Sequence, residues 1–163
     1  MQPMVRICFV CAGNICRSPT AEAVMRHLTA AHGLADQVHL ESAGTGDWHV
    51  GENADPRSRA AGKKRGYALD RRARHFQAHL FDSYDYLLVA DGANFRHLVS
   101  IAPDETARAK IRLLRDFDPA SPAGSDVPDP YYGGPEGFEA VLDICEAACR
   151  GLLAHVQELS TKR

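Results

Sequence analysis

The sequence predicts an α/β fold, a three-layer sandwich in which a four-stranded parallel sheet carries helices on both faces. Three observations point to it. Four short β-branched or apolar runs, residues 5–10, 38–42, 86–90 and 110–115, have strand character. Segments with apolar residues at helical spacing, residues 18–32, 56–65, 93–101 and 135–159, lie between or after them. Strand alternating with helix calls for a parallel sheet covered on both sides. The 163 residues suffice for one domain, 1–163, and no repeat, low-complexity tract or linker divides them.

Taken in order, the first strand, Val5-Arg6-Ile7-Cys8-Phe9-Val10, runs into the stretch CAGNICRSP at residues 11–19. Ser18 is a natural N-cap for the helix that follows, Pro19 suits its first position, and Gly33 is a stop. Residues 11–18 are therefore a strand-to-helix turn whose backbone N–H groups are free to face an anion. The second strand ends in Ser42-Ala43-Gly44, the third in Asp91 and the fourth in Asp116. In an open parallel sheet the ligand crevice lies at the carboxyl ends of the strands, so Cys11, Ser42, Asp91 and Asp116 should converge on one edge. Between the fourth strand and the last helix comes the densest punctuation, the Pro-rich stretch Asp118 to Pro130, where a functional loop is expected.

Composition removes several classes. Hydrophobic residues at 45% and charged residues at 25% fit a soluble globular protein. A net charge of −2 argues against a general nucleic-acid binder. No run approaches the length of a membrane span, and the apolar run 7–12 is too short for a signal-peptide core. A cytoplasmic monomer is expected. Five cysteines without a secretory signal fit a reducing compartment. Cys8 and Cys11 have C-x-x-C spacing, but in a strand their side chains point to opposite faces, which disfavours a thioredoxin-type motif. Cys145 and Cys149 fall in line with Val141, Leu142, Leu152 and Leu153 as a core stripe. With no second pair for zinc, no metal is expected.

A helix N-terminus and a neighbouring guanidinium stabilise a thiolate, so Cys11 is the candidate nucleophile. A loop of backbone donors plus Arg17 fits a tetrahedral dianion, because a guanidinium can hold two of its oxygens at once. Gly13 allows close approach of backbone, and Asn14 tolerates positive φ. Ser18 either caps the helix or hydrogen-bonds the thiolate. A leaving group needs an acid, and Val127-Pro-Asp-Pro-Tyr-Tyr-Gly-Gly134 offers Asp129 between two stiffening prolines. A solvent-facing turn aspartate is the alternative for that residue.

Cys11-x5-Arg17-Ser18 in the form CAGNICRSP, Ser42-Ala-Gly-Thr, Trp48-His49 and Asp129-Pro-Tyr-Tyr together resemble the low-molecular-weight protein tyrosine phosphatases, over essentially the whole chain. The resemblance implies a flavodoxin-like fold, no metal or other cofactor, and tyrosine-phosphorylated proteins as substrates. It implies Cys11 as nucleophile and Asp129 as general acid, then base. The phosphate would be bound by Ala12, Gly13, Asn14, Ile15, Cys16, Arg17 and Ser18. Asn14, Ser18 and Ser42 would shape the loop by hydrogen bonds. Asp91 would also support it and is the next candidate for the acid. Trp48, Tyr131 and Tyr132 would wall a slot for an aryl phosphate, with a half-buried anchor as the other reading of Trp48. Cys16 would be a redox partner for Cys11. Two departures stand out: Ala12 where many members have Leu, and Arg71 near a position where many carry a histidine supporting the loop asparagine. Arg71 could donate in its place.

Three rivals are weaker. An arsenate reductase needs further accessible cysteines. A phosphoarginine phosphatase typically has Thr where Ile15 stands. A phosphopeptide-binding module would not need Asp129. The basic runs Lys63-Lys64-Arg65 and Arg71-Arg72-Ala-Arg74-His75 read first as a solvated face, with docking of acidic peptide flanks as the other reading. They lack the interleaved aromatics that a nucleic-acid surface uses.

Overall fold

The structure, a computed structural model, describes residues 4–161. Strands β1 (Val5–Cys11), β2 (Val38–Gly44), β3 (Tyr86–Val89) and β4 (Ile111–Leu113) form one parallel sheet in the order β2-β1-β3-β4. Five α-helices accompany them: α1 (Arg17–Ala31), α2 (Pro56–Lys64), α3 (Gly92–Ile101), α4 (Glu105–Arg108) and α5 (Pro135–Thr161). Side chains alternate across the central strand. Val5, Ile7, Phe9 and Cys11 of β1 join the core under α1, α2 and α5, whereas Cys8 and Val10 join the core under α3 and α4. Both faces of β1 are buried, which is why its sequence is continuously apolar after Arg6 rather than alternating.

The chain order reverses at β1. Its first crossover leads to β2 on one side, and β3 adds on the other. The crevice of such a sheet lies outside the carboxyl ends of the two strands that flank the reversal. Cys11 ends β1, and Asp91 follows β3.

Some boundaries differ from expectation. Helix α1 opens at Arg17 with Cys16 as its N-cap, and no side chain caps it. Ser18 lies inside the first turn and Pro19 third in the helix, a position tolerated because the first four N–H groups have no intrahelical acceptor. The fourth strand is only three residues long, since β3 alone pairs with it. The chain then winds into a 3-10 turn, Leu114–Phe117, that buries Leu114. This turn carries Asp116 away from the crevice, and its carboxylate accepts from Gly124 N at 2.9 Å. The short helix α4 and a 3-10 helix, Ala78–Ser83, carry too few residues to show a period in sequence. The helix expected at 93–101 begins at Gly92, behind a reciprocal capping box of Asp91 and Asn94.

Candidate active site

In the turn between β1 and α1, four carbonyls are held by neighbouring donors while the N–H groups between them are left open. The carbonyls of Cys11 and Ala12 accept from Thr45 N at 2.8 Å and Gly46 N at 3.0 Å, and Ile15 O accepts from Asp55 N at 2.8 Å. Cys16 O accepts from Thr20 Oγ1 at 2.7 Å. Among the described residues, the backbone N–H groups of Gly13, Asn14, Ile15 and Cys16 have no protein acceptor. Oriented N–H groups at a helix N-terminus make an anion cradle.

Asn14 holds the turn in shape. Its φ of 57° is left-handed, a conformation that costs most L residues about 1–2 kcal/mol and that Asn tolerates. Its side-chain Oδ1 accepts from Arg74 N at 2.9 Å, and its Nδ2 donates to Ser18 Oγ at 2.8 Å. Ser18 Oγ in turn lies 3.0 Å from Cys11 Sγ. Of the two roles open to Ser18, the structure shows the hydrogen bond to the thiol and not the cap. The neighbouring strand must come close as well. A Cβ on Gly44 would sit 2.8 Å from Ala12 O, so a side chain there would push the turn out of place.

Arg17 is 4% exposed, with Nη1 donating to Asp91 Oδ2 at 2.6 Å and to Val127 O at 2.9 Å. Burial works against its charge, but Cys11, Asp91 and Asp129 outweigh that and raise its pKa. Asp129 Oδ2 stands 3.8 Å from Arg17 Nη2, and its Oδ1 accepts from Tyr131 N at 3.1 Å. With 49% of its side chain exposed, Asp129 overhangs the pocket rather than filling it.

The pocket, about 340 Å³, is lined by the turn together with Trp48, His49, Asp129, Tyr131 and Tyr132. Trp48 is 62% exposed and Tyr132 94%, so they form rims rather than buried walls. Tyr131 and Tyr132 meet edge to face at 4.9 Å, and His49 lies 6.5 Å from Tyr131. Sequence reasoning missed His49 as a lining residue. Its ring lies so near Gly13 that a Cβ there would meet it at 2.8 Å.

Two supports expected for the loop act elsewhere. Ser42 Oγ donates to Glu22 Oε1 at 2.6 Å and does not touch the turn; only its carbonyl, accepting from Arg74 Nε at 3.2 Å, links it toward Asn14. Arg71 does not reach Asn14; it pairs with Glu22 at 3.3 Å, and the backbone of Arg74 supports the asparagine instead. Glu22, buried and shared by Ser42, Arg26 and Arg71, is a second missed residue. Its only sequence signal was an i,i+4 match with Arg26.

Cys8, Cys145 and Cys149 behave as packing residues. Burial pushes Cys8 well up and Cys145 up to about 12, and Cys8 faces the opposite core from Cys11. Among the described residues, no group of three His, Cys, Asp or Glu side chains is placed to hold a metal ion, and no helix is long and apolar enough to cross a membrane.

Comparison with known proteins shows the family. The family described as "Low molecular weight phosphotyrosine protein phosphatase" matches residues 6–162. A Streptomyces coelicolor protein named low molecular weight protein-tyrosine-phosphatase is 53% identical over 154 residues, covering 94% of each chain. The crystal structure of an Entamoeba histolytica protein tyrosine phosphatase with Hepes in its active site superposes with a TM-score of 0.91 at 41% identity, covering 96% of this chain and 99% of that one. YfkJ from Bacillus subtilis gives a TM-score of 0.89 at 36% identity, covering 96% and 97%.

Proposed function

Because this chain belongs to the low-molecular-weight phosphotyrosine protein phosphatases, enzymes that act on tyrosine-phosphorylated proteins, we propose that Cys11 is the residue that attacks phosphorus. The sulfur displaces the tyrosine oxygen in line and forms a phosphocysteine. Asp129 gives its proton to the departing phenolate, then takes one from the water that hydrolyses the intermediate and releases phosphate. The transferring group needs positioning and charge stabilisation, which the N–H groups of residues 13–18 supply. Nη1 of Arg17 is committed to Asp91 and Val127, so its Nε–Nη2 edge is the one left to grip two phosphate oxygens.

The observation that carries this reading is Cys11 Sγ at 3.0 Å from Ser18 Oγ, under a ring of unaccepted N–H groups and below the Asp129 carboxylate. The aromatic rim and the apolar Ile15 favour an aryl phosphate, whose ring is long enough to bring phosphorus to the sulfur. A serine phosphate is too short, and a phosphoarginine gains little from Ile15. We also assign the protein to a reducing compartment, the cytoplasm, and to action as a monomer. Five free cysteines support the first, and a pocket complete within one chain supports the second.

The test is phosphate release from phosphotyrosine, phosphoserine and phosphoarginine peptides. Cys11→Ser should bind phosphate analogues and turn nothing over, and Arg17→Lys should lose most activity with its fork. Asp129→Asn should lower kcat by about 10²–10⁴-fold, less for more acidic leaving groups. Activity in Cys11→Ser, or a preference for phosphoserine or phosphoarginine, refutes the assignment.

A further inference from the structure

A groove of about 540 Å³ lies between the outer face of α2 and the loop that follows it. Its helix side is Pro56, Arg59, Ala60 and Lys63, the i, i+3, i+4, i+7 face, and Tyr67 and Leu69 form the loop side. The floor is apolar and the helical rim is cationic, with Asp70 the one carboxylate at its edge. Neighbouring arginines are already engaged: Arg57 with Asp55, Arg65 with Glu139, Asp143 and Glu146, and Arg71 with Glu22. Arg59 and Lys63 differ. Both are exposed, and neither has an ion-pair partner among the described residues.

The groove adjoins the catalytic pocket. Asp55 N donates to Ile15 O at 2.8 Å, and the Arg57 guanidinium lies 5.2 Å over the Tyr131 ring. Ile15 and Tyr131 both line the catalytic pocket, and Pro56, which begins the groove, stands between these two anchors in sequence. From Pro56 to Lys63 the helix runs about 10 Å, which an extended peptide covers in about three residues.

We propose that this groove docks the acidic flank of the phosphotyrosine substrate, with Arg59 and Lys63 pairing Asp or Glu side chains about two to five residues from the phosphotyrosine. The assignment rests on the phosphatase reading of the neighbouring pocket. Charge complementarity selects the occupant: two uncommitted cations on an apolar floor, in a chain whose net charge is −2. The excess of positive charge is therefore local to this face, as a substrate-steering patch requires and a general polyanion binder does not.

The experiment compares three substrates on wild type and Arg59→Glu/Lys63→Glu: a small aryl phosphate, a phosphotyrosine peptide with acidic flanks on either side, and its neutral counterpart. The aryl phosphate should be turned over equally by both proteins. Wild type should prefer the acidic peptide, and the double variant should lose about 3- to 30-fold of that preference, carried in KM. Arg59→Lys/Lys63→Arg should retain it, and added salt should flatten it in wild type only. The same ratio is read as Kd on the Cys11→Ser background, so absent turnover in wild type counts against the catalytic reading and an absent Kd ratio against the groove. No acidic preference in wild type, or equal losses on all three substrates, overturns the proposal. Loss of binding to phosphatidylserine vesicles with an unchanged peptide ratio also overturns it and reassigns the face to a membrane surface.

Discussion

Cys11 and Cys16 illustrate how far environment separates two residues of one kind. Both line the same pocket, five positions apart on a single turn. Cys11 shares a hydrogen bond with Ser18, whereas burial pushes the Cys16 thiol up to about 12. Cys16 is therefore a thiol at neutral pH and no competitor as nucleophile. It suits a different task. Peroxide would oxidise the Cys11 sulfur to a sulfenic acid, and we propose that the Cys16 sulfur then displaces water from it to close a disulfide. Dithiothreitol should then restore peroxide-treated wild type but not Cys16→Ser, which proceeds to the sulfinic acid. Because the attacking form is the Cys16 thiolate, closure should quicken as pH rises from 6 to 9. Equal recovery of both proteins would remove Cys16 from this role. The residue types in the turn were legible in sequence because the spacing is fixed by local backbone. The second supports, Arg74 N on Asn14 and Glu22 on Ser42, lie 60 and 20 positions away, and no local pattern encodes such pairings.

Among the elements, α2 shows a local signal that the tertiary structure reuses. Asp55 caps it by accepting from Arg57 N at 2.8 Å, and Pro56 fills the first helical position. The Asp55 N–H in turn holds Ile15 O of the phosphate turn. The Arg57 side chain hydrogen-bonds the Asp55 carboxylate and holds it below its ordinary pKa, against the opposing effect of burial. A carboxylate lowered on folding stabilises fully above its unfolded pKa, about 3.9, and loses that contribution as pH falls through its folded value. Urea denaturation of wild type and Asp55→Asn should thus show a constant gap between pH 7 and 5 that narrows below about pH 4. A gap that persists unchanged to pH 2 would mean that the cap, not the charge, carries the stabilisation. Where element boundaries were misread, a longer-range demand had won. Helix α1 leaves its Ser18 cap unused because the hydroxyl is needed at Cys11, and β4 stops early because only β3 pairs with it.

At the scale of the whole molecule, α5 is the long closing element. Its 27 residues pack against α1, α2 and the turn after β4. The tightest point is Gly151, where an added Cβ would fall 1.7 Å from Phe117 O. Alanine is intrinsically better than glycine in a helix by about 1 kcal/mol, but here overpacking against backbone costs about 1–3 kcal/mol or more. Gly151→Ala should therefore lower Tm by several degrees, at about 2–4 °C per kcal/mol for a chain of this size. An unchanged or raised Tm would show that α5 can shift freely, and with it the turn that carries the chain toward Asp126 and Val127. Those residues brace the site: Val127 O accepts from Arg17, and Asp126 accepts from Gly92 N at the start of α3.

What the sequence determined by itself is what depends on near neighbours. The sandwich followed from alternating apolar periods, the phosphate turn from CAGNICRSP between a strand and a helix, and the acid candidate from the Pro-Asp-Pro clamp. Each of these is a statement about backbone conformation within a few residues. Only the tertiary structure decided which of the carboxylates after the strands joins the site. Asp91 does, through Arg17, whereas Asp116 is carried off by a 3-10 turn. It also decided that Arg71 serves Glu22 rather than Asn14, that His49 completes the pocket, and that among the described residues Arg59 and Lys63 are left uncommitted beside it. Those outcomes depend on distances between segments tens of residues apart, which are fixed by how helices seat on the sheet and not by any period along the chain.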